Sequence, residues 1–512
     1  MAENLASFKV FCQGGLNTSR DVLSQGETQP GSATSLINYE PAVTGGYRRI
    51  SGFSNDYGTV TGTGSVLGIC VANGINDGIL ACRTPSSGNN YLHKWNNTTS
   101  AWDAVTTSGS PTMSGVTKVR FTKYNFTAPK VVLTDGINPA ATYDGTTYTQ
   151  ITHASAPTDP KYSAVFQNHL FLAGDPAEDT NLYFSAPLAE TDFSAANGSG
   201  VINVGFPIIA IKTFRDALYI FGTNNIRKLV GNNISNFVLE TVTDNLGCLA
   251  TDSVIEIGGD LLFLSQDGLR PISGTDKIGD VNLETVSKDI QSIFTDVIFD
   301  IDLEGLNAVV IRQKTQFRYF FAGSDSQGII GGFRQTPNGL QFEYSQMLGL
   351  VATCADSGYI GQNEFVLHGD SSGKVHRQEK GNDFDGTDIF SLFQTPFFHM
   401  QDPEQRKIFY TVATYLRSEG DNSIVMSAVY DYEDVDTLNP TNFTLTTTGA
   451  AAYYNEALYN STAIFDGNPS PVQRINISGS GKSASLKFVT NDSNASHSIQ
   501  GLVITFGVGD RL

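Results

Sequence analysis

The sequence predicts a mainly β protein, with a β-propeller core and an additional C-terminal β-sandwich-like domain. Three observations carry that expectation. Gly accounts for 51 of 512 residues and Tyr and Phe for 20 and 32, whereas Met and Trp number only 5 and 2. Chains rich in Gly and aromatics form short strands joined by tight turns. Only 16% of residues are charged, against about 25% in ordinary soluble domains, which excludes a coiled coil or a charge-rich disordered chain. Finally, an apolar strand, a Gly/Asn/Asp turn and a second strand return together along the middle of the chain.

Residues 1–60 read as an N-terminal segment with an assembly hairpin. Leu36 to Glu40 make one strand, Pro41, Gly45 and Gly46 fix a turn, and Tyr47, Arg48 and Arg49 lie on the return strand. Residues 61–386 hold the repeats. Turns at Asp135-Gly136 and Asp144-Gly145 mark an early unit, and later strand cores fall at Leu170, Leu218, Leu262, Tyr319 and Phe365. A spacing of roughly 40–50 residues, with about four strands each, is that of a propeller. A pair of ordinary sandwiches gives similar strand spacing without the repeated composition. On this reading the apolar strand at 218–222 faces the central channel. One helix is expected over 282–294, where Leu283, Val286, Ile290 and Phe294 share a face. A second helical stretch, 456–459, is too short to matter. Residues 387–512 carry longer alternating strands and read as a separate C-terminal β-domain, with the boundary within 381–388.

With 32 basic and 51 acidic residues, the net charge is −19. Tight nucleic-acid binders neutralise phosphates with Lys and Arg, so the chain as a whole is not one of them. An acidic surface instead repels a polyanion that must pass without sticking. Five scattered cysteines, Cys12, Cys70, Cys82, Cys248 and Cys354, contain no CxxC pair; they are expected to be reduced and buried. The first residues lack a basic and an apolar region, and no apolar run reaches the ~18 residues of a membrane span. A chain made and kept in a cytoplasm is the expectation.

Constellations for catalysis are weak. Asp383, Asp385 and Asp388 surround a Gly turn but lack the later Glu of a calcium loop. Asp431, Glu433, Asp434 and Asp436 read as an exposed acidic loop. The turn at Ser265 resembles a sialidase-type Asp box without its aromatic, and paired glycosidase carboxylates cannot be placed from spacing alone. Gly369, Ser371 and Gly373 match GxSxG, yet a return strand follows where a nucleophile elbow needs a helix. Seven histidines show no HExxH; His368 and His376 share one expected hairpin. No phosphate loop and no dinucleotide fingerprint occurs. No catalytic residue, metal site or cofactor is expected.

The segment from Gly14 to Phe53 is the most distinctive. Gly14-Gly-Leu-Asn17, then Asn38-Tyr-Glu40-Pro41, then Gly45-Gly46-Tyr47-Arg48-Arg49-Ile-Ser-Gly52-Phe53 resembles the N-terminal region of tail nozzle proteins of short-tailed bacteriophages. These are also called tail tubular protein B or packaged-DNA stabilisation proteins. Pro403, Arg406 and Lys407 are consistent with the same family but far less specific. The resemblance implies a structural virion protein with a propeller core, assembled in the host cytoplasm. Six copies would form a ring below the portal and its tail adaptor, with tailspikes or fibres nearby. The genome would leave through the axial channel without sequence-specific binding. Adjacent arginines on a strand point to opposite faces, so Tyr47, Arg48 and Arg49 are the assembly-interface candidates. The competing expectation is a virion propeller that binds or cleaves host surface glycans. A cytoplasmic interaction propeller ranks below both, because the Trp102-Asp103 dipeptide does not recur.

Overall fold

The structure is a computed structural model. It describes residues 5–86, 90–109, 111, 115–273, 285–300, 303–321, 328–336, 339–400, 402–434, 436–447 and 471–508. The fold is mainly β, built on a propeller. The first blade comprises Thr63–Val71, Ile79–Thr84, Leu92–Asn96 and Ala101–Ala104. The second runs from Arg120–Asn125 through Pro129–Thr134 and Ala141–Tyr143 to Thr147–Gln150, with Thr106–Thr107 added in parallel at its edge. The third begins at Tyr162–Phe166, the fourth at Ala210–Phe214 and the fifth at Ile255–Ile257. A sixth sheet of its own begins at Cys354–Ile360, and Phe53–Ser54 from the N-terminal segment pairs with its last strand, Val375–Gln378.

Between the fifth blade and that last one the ring is completed by Asn307–Ile311, Gln316–Phe320, Gly328–Thr336 and Gly339–Met347. These four strands are one end of a nine-stranded sheet that continues away from the ring. Among the described residues, six blades are sheets of their own, and a seventh radial position is filled by a shared sheet.

The strand cores identified by their periodicity lie in the propeller, but one radial step further out than expected. Leu170, Leu218, Leu262, Tyr319 and Phe365 all sit on the second strand of their unit. His169–Ala173, Ala217–Phe221 and Gln316–Phe320 are buried along their whole length. A second strand is covered by neighbouring units on both faces, so it is mostly apolar and stands out in the sequence. The channel is lined instead by first strands such as Ala210–Phe214, which carry polar side chains and are less conspicuous.

The expected helix is displaced. A short 3-10 turn covers Lys288–Ile290 and the α-helix covers Gln291–Asp300; residues 282–284 lie outside the described residues, as does 456–459. Backbone bonding explains the late start. Val286 N donates to Leu269 O, and Leu269 N donates to Ser287 Oγ, so residues 286–287 extend the fifth blade before the helix begins. Ile290 and Phe294 are buried.

The N-terminal segment is not a separate unit. Leu5–Phe11 pairs with His497–Val508, Ser35–Ile37 lies between Gly339–Met347 and Ile389–Gln394, and Tyr47–Arg49 pairs with both Tyr39–Pro41 and His497–Val508. Its strands therefore enter the seven-stranded and nine-stranded sheets as well as the last blade. Tyr39, Tyr47, Phe393, Phe409, Phe488 and Leu502, drawn from both large sheets, belong to one hydrophobic core. Among the described residues no helix is long and apolar enough to cross a membrane.

Candidate functional site

Two places gather polar chemistry: the joint built by the N-terminal signature, and the central cavity of the propeller.

At the joint, Tyr47 is completely buried. Its hydroxyl donates to Gly31 O at 2.7 Å and accepts from Gly15 N at 3.0 Å, and its ring meets Phe393 edge-on. Arg48 and Arg49 do point to opposite sides. Arg48 forks onto Glu419 with bonds of 2.6 and 2.7 Å and reaches Glu40 at 3.0 Å. Glu40, itself buried, also receives Lys314 at 2.6 Å and Gln316 at 3.0 Å. Arg318 bonds Glu379 and Gln378 beside it. Arg49 is 1% exposed and donates to Asp492 Oδ1, Asn494 O and Ile389 O at 2.8 to 3.0 Å. Burying a guanidinium is favourable only where its donors find acceptors, and the planar fork suits that task. Nη1 and Nη2 of Arg49 find them, while its Nε has no acceptor among the described residues. Both arginines are therefore engaged inside their own chain.

The rest of the signature is equally internal. Gly14 N donates to Glu343 Oε1 at 2.6 Å, Asn17 Nδ2 to Asp289 Oδ1 at 3.1 Å, and Asn38 Nδ2 to Leu348 O and Phe390 O. Gly46 has φ +84°, and a Cβ there would lie 2.2 Å from Ile499 O. At Gly52 a Cβ would lie 1.8 Å from Asp383 O. Only glycine permits such close backbone approach.

The remaining sequence candidates occupy structural turns. Asp370 Oδ1 accepts from Ser372 N and Lys374 N, making the GxSxG stretch a hairpin turn. His368 and His376 are cross-strand partners with ring centroids 4.9 Å apart, and Phe53 packs edge-on against both. Asp383 accepts from Gly386 N, and Asp385 pairs with Lys374. Asp431 accepts from Lys482 N and Ser483 N. Among the described residues no three His, Cys, Asp or Glu side chains gather as a metal ion would require.

The central cavity was not legible in the sequence. It has a volume of about 500 Å³ and is lined by the first strands of all seven radial units. Five cationic side chains enter it: Lys118, Arg120, Lys123, Lys212 and Arg312. Against them stand Asp252, Glu256 and Asp356. Asp252 takes Lys118 at 2.7 Å and Arg120 through a fork of 2.8 and 3.0 Å. Burial pushes its carboxyl up, but Arg120 and Lys118 outweigh that and hold it well below the usual carboxylate range. Asp356 accepts from Lys123 Nζ at 2.9 Å and Val71 N at 2.8 Å. Lys212 is exposed to the cavity yet walled in by the ring, and desolvation lowers its pKa, with Lys123 and Arg312 adding to the effect. These residues come from five of the units, so only the closed ring brings them together.

No family model and no curated protein matches this chain. Among solved structures it is similar to the extracellular domain of a hybrid two-component system protein from B. thetaiotaomicron, at 12% identity and a TM-score of 0.41 over 78% of this chain. The chain spans 46% of that protein's length. It is also similar to an exo-β-1,3-galactanase from Phanerochaete chrysosporium, at 10% identity and a TM-score of 0.24, covering 89% of this chain and all of that one. Likenesses this distant carry no argument about activity. The class the sheet pairing defines is a β-propeller protein whose ring is joined to a second pair of sheets.

Proposed function

We propose that this chain is a structural subunit of a ring, specifically of the tail nozzle of a short-tailed bacteriophage, with six copies continuing the DNA channel below the portal and adaptor. One observation carries the reading. The Gly14–Phe53 signature that resembles the nozzle family is the joint between propeller and large sheets, with Arg48 on Glu40 and Glu419 and Arg49 on Asp492. A motif that fixes how two bodies sit is what a load-transmitting ring subunit requires. The net charge of −19 fits a duplex that slides past the wall without being gripped.

The second reading, a propeller that binds or cleaves host glycans, draws on the carboxylates of the central cavity. Cleavage by paired carboxylates needs one of them protonated as general acid. Asp252, held ionised by two cations, is unsuited to that role.

Native mass measurement and negative-stain imaging of the purified chain, alone and with the phage's tail adaptor, test the proposal. A six-fold ring in either condition is expected. A chain that stays monomeric in both and releases reducing ends from host surface polysaccharide overturns the nozzle reading in favour of the second.

A further inference from the structure

The charges of the central cavity are unevenly matched. Asp252 serves two cations and Asp356 serves Lys123. Arg312 reaches Glu364 only at 3.8 Å, and that carboxylate already accepts the backbone N–H of Arg312 and of Gln313 at 2.7 and 2.9 Å. The Arg312 guanidinium, 49% exposed, has Ser357 Oγ at 3.1 Å as its nearest companion. Among the described residues, Lys212 has neither an ion pair nor a hydrogen bond for its ammonium, although Glu256 and Asp356 both act on it electrostatically. Glu256 is likewise exposed to the cavity, and no described residue donates to its carboxylate.

A cation and a carboxylate lining one cavity, both unbonded among the described residues, are complementary to a ligand bearing two kinds of group. An anionic oxygen satisfies Lys212 and Arg312. Hydroxyl donors satisfy Glu256, which as a carboxylate can only accept. Ser357 and Thr213 also line the cavity, their hydroxyls donating to Val310 O and Val165 O. The volume, about 500 Å³, is within the range of small-molecule sites.

We propose that the central cavity binds an acidic sugar, with its anionic group between Lys212 and Arg312 and its hydroxyls on Glu256. The anionic group can be a carboxylate, as in a uronic acid, or a phosphate, as in a sugar phosphate; both present charged oxygens on a compact polyol. The site is independent of the ring proposal. A chain that assembles into rings and binds no sugar leaves the nozzle reading intact, and the converse holds too.

The test is calorimetric titration of the full-length protein with glucuronate, glucose 6-phosphate, glucose and inorganic phosphate at constant ionic strength. For a ligand of this size a dissociation constant on the order of 1 mM is expected. Glucuronate or glucose 6-phosphate binds with one site per chain, and whichever binds identifies the anionic group. Glucose and inorganic phosphate each bind at least tenfold more weakly, since each offers one half of the recognition. Lys212→Gln removes the preference for the acidic sugar over glucose, and Lys212→Arg retains it. Glu256→Gln reduces the preference for glucose 6-phosphate over inorganic phosphate. Lys482→Gln, outside the cavity, changes nothing. Lys212→Gln melts no lower than wild type without sugar, because among the described residues its ammonium has no ion pair or hydrogen bond to lose. Absence of saturable binding by both acidic sugars up to ~10 mM, or equal binding by wild type and Lys212→Gln, overturns the proposal.

Discussion

Arg49 and Asp492 stand 443 residues apart in sequence and are joined by a 2.8 Å hydrogen bond from Nη1 to Oδ1. That bond fixes the N-terminal hairpin against the large sheets. Removing one partner of a buried pair leaves the other charge uncompensated, at a cost of about 3 kcal/mol here because Asp492 is partly exposed. Arg49→Ala should therefore lower the urea midpoint sharply. Arg48→Ala should cost roughly 1–2 kcal/mol, because Glu40 keeps Lys314 and Gln316. Equal, negligible losses in both variants would contradict the joint.

Glycines at the joint separate two kinds of strain. Gly52→Ala drives a Cβ into Asp383 O at 1.8 Å and should leave little folded protein. Gly45→Ala meets nothing within 4 Å and bears only the penalty of its φ of +92°, about 1 kcal/mol. Soluble yield and melting temperature of the two variants give the comparison.

Acid should destabilise the protein in two stages. Burial pushes His368 and His497 down to about 3, with His376 and Arg49 respectively adding to it. Burial pushes Glu379 up, but Arg318 and Lys314 outweigh it and hold the carboxyl at about 2. All three bind protons more weakly when folded than when unfolded, so their contribution is complete above pH 6.5. The histidine part is lost as pH falls from 6.5 toward 3, and the Glu379 part from 4.5 toward 2. Urea midpoints from pH 8 to pH 3 should show both limbs, and His497→Asn should flatten the first. A midpoint constant between about pH 7 and pH 4.5 would contradict the assignment.

The five thiols should be silent in the native protein. Cys12, Cys70, Cys82, Cys248 and Cys354 are all buried, and desolvation pushes Cys12, Cys70 and Cys354 up to about 12. The thiolate is the reactive form. A chromogenic thiol reagent should titrate none of the five before unfolding and all five in denaturant, and rapid native labelling of any one would refute this.

The sequence by itself determined the β class and the repeat, because the second strand of each unit packs against neighbours on both faces and is mostly apolar. It marked the Gly14–Phe53 segment as distinctive; the structure places glycines there at close backbone approaches and Arg49 buried. It misplaced the channel-facing strand and the helix start, where the deciding bonds, such as Leu269 N to Ser287 Oγ, join residues distant in the chain. What Arg48 and Arg49 bond within their own chain was equally undecidable from spacing. Adjacent positions on a strand give opposite directions but not what lies in each, and only the tertiary fold supplied Glu419 and Asp492. The central cavity belonged wholly to the tertiary structure. Its charged residues are spread over five radial units. Although Lys118, Arg120 and Lys123 are close in sequence, nothing in the sequence links them to Lys212, Asp252, Glu256, Arg312 and Asp356 until the ring closes.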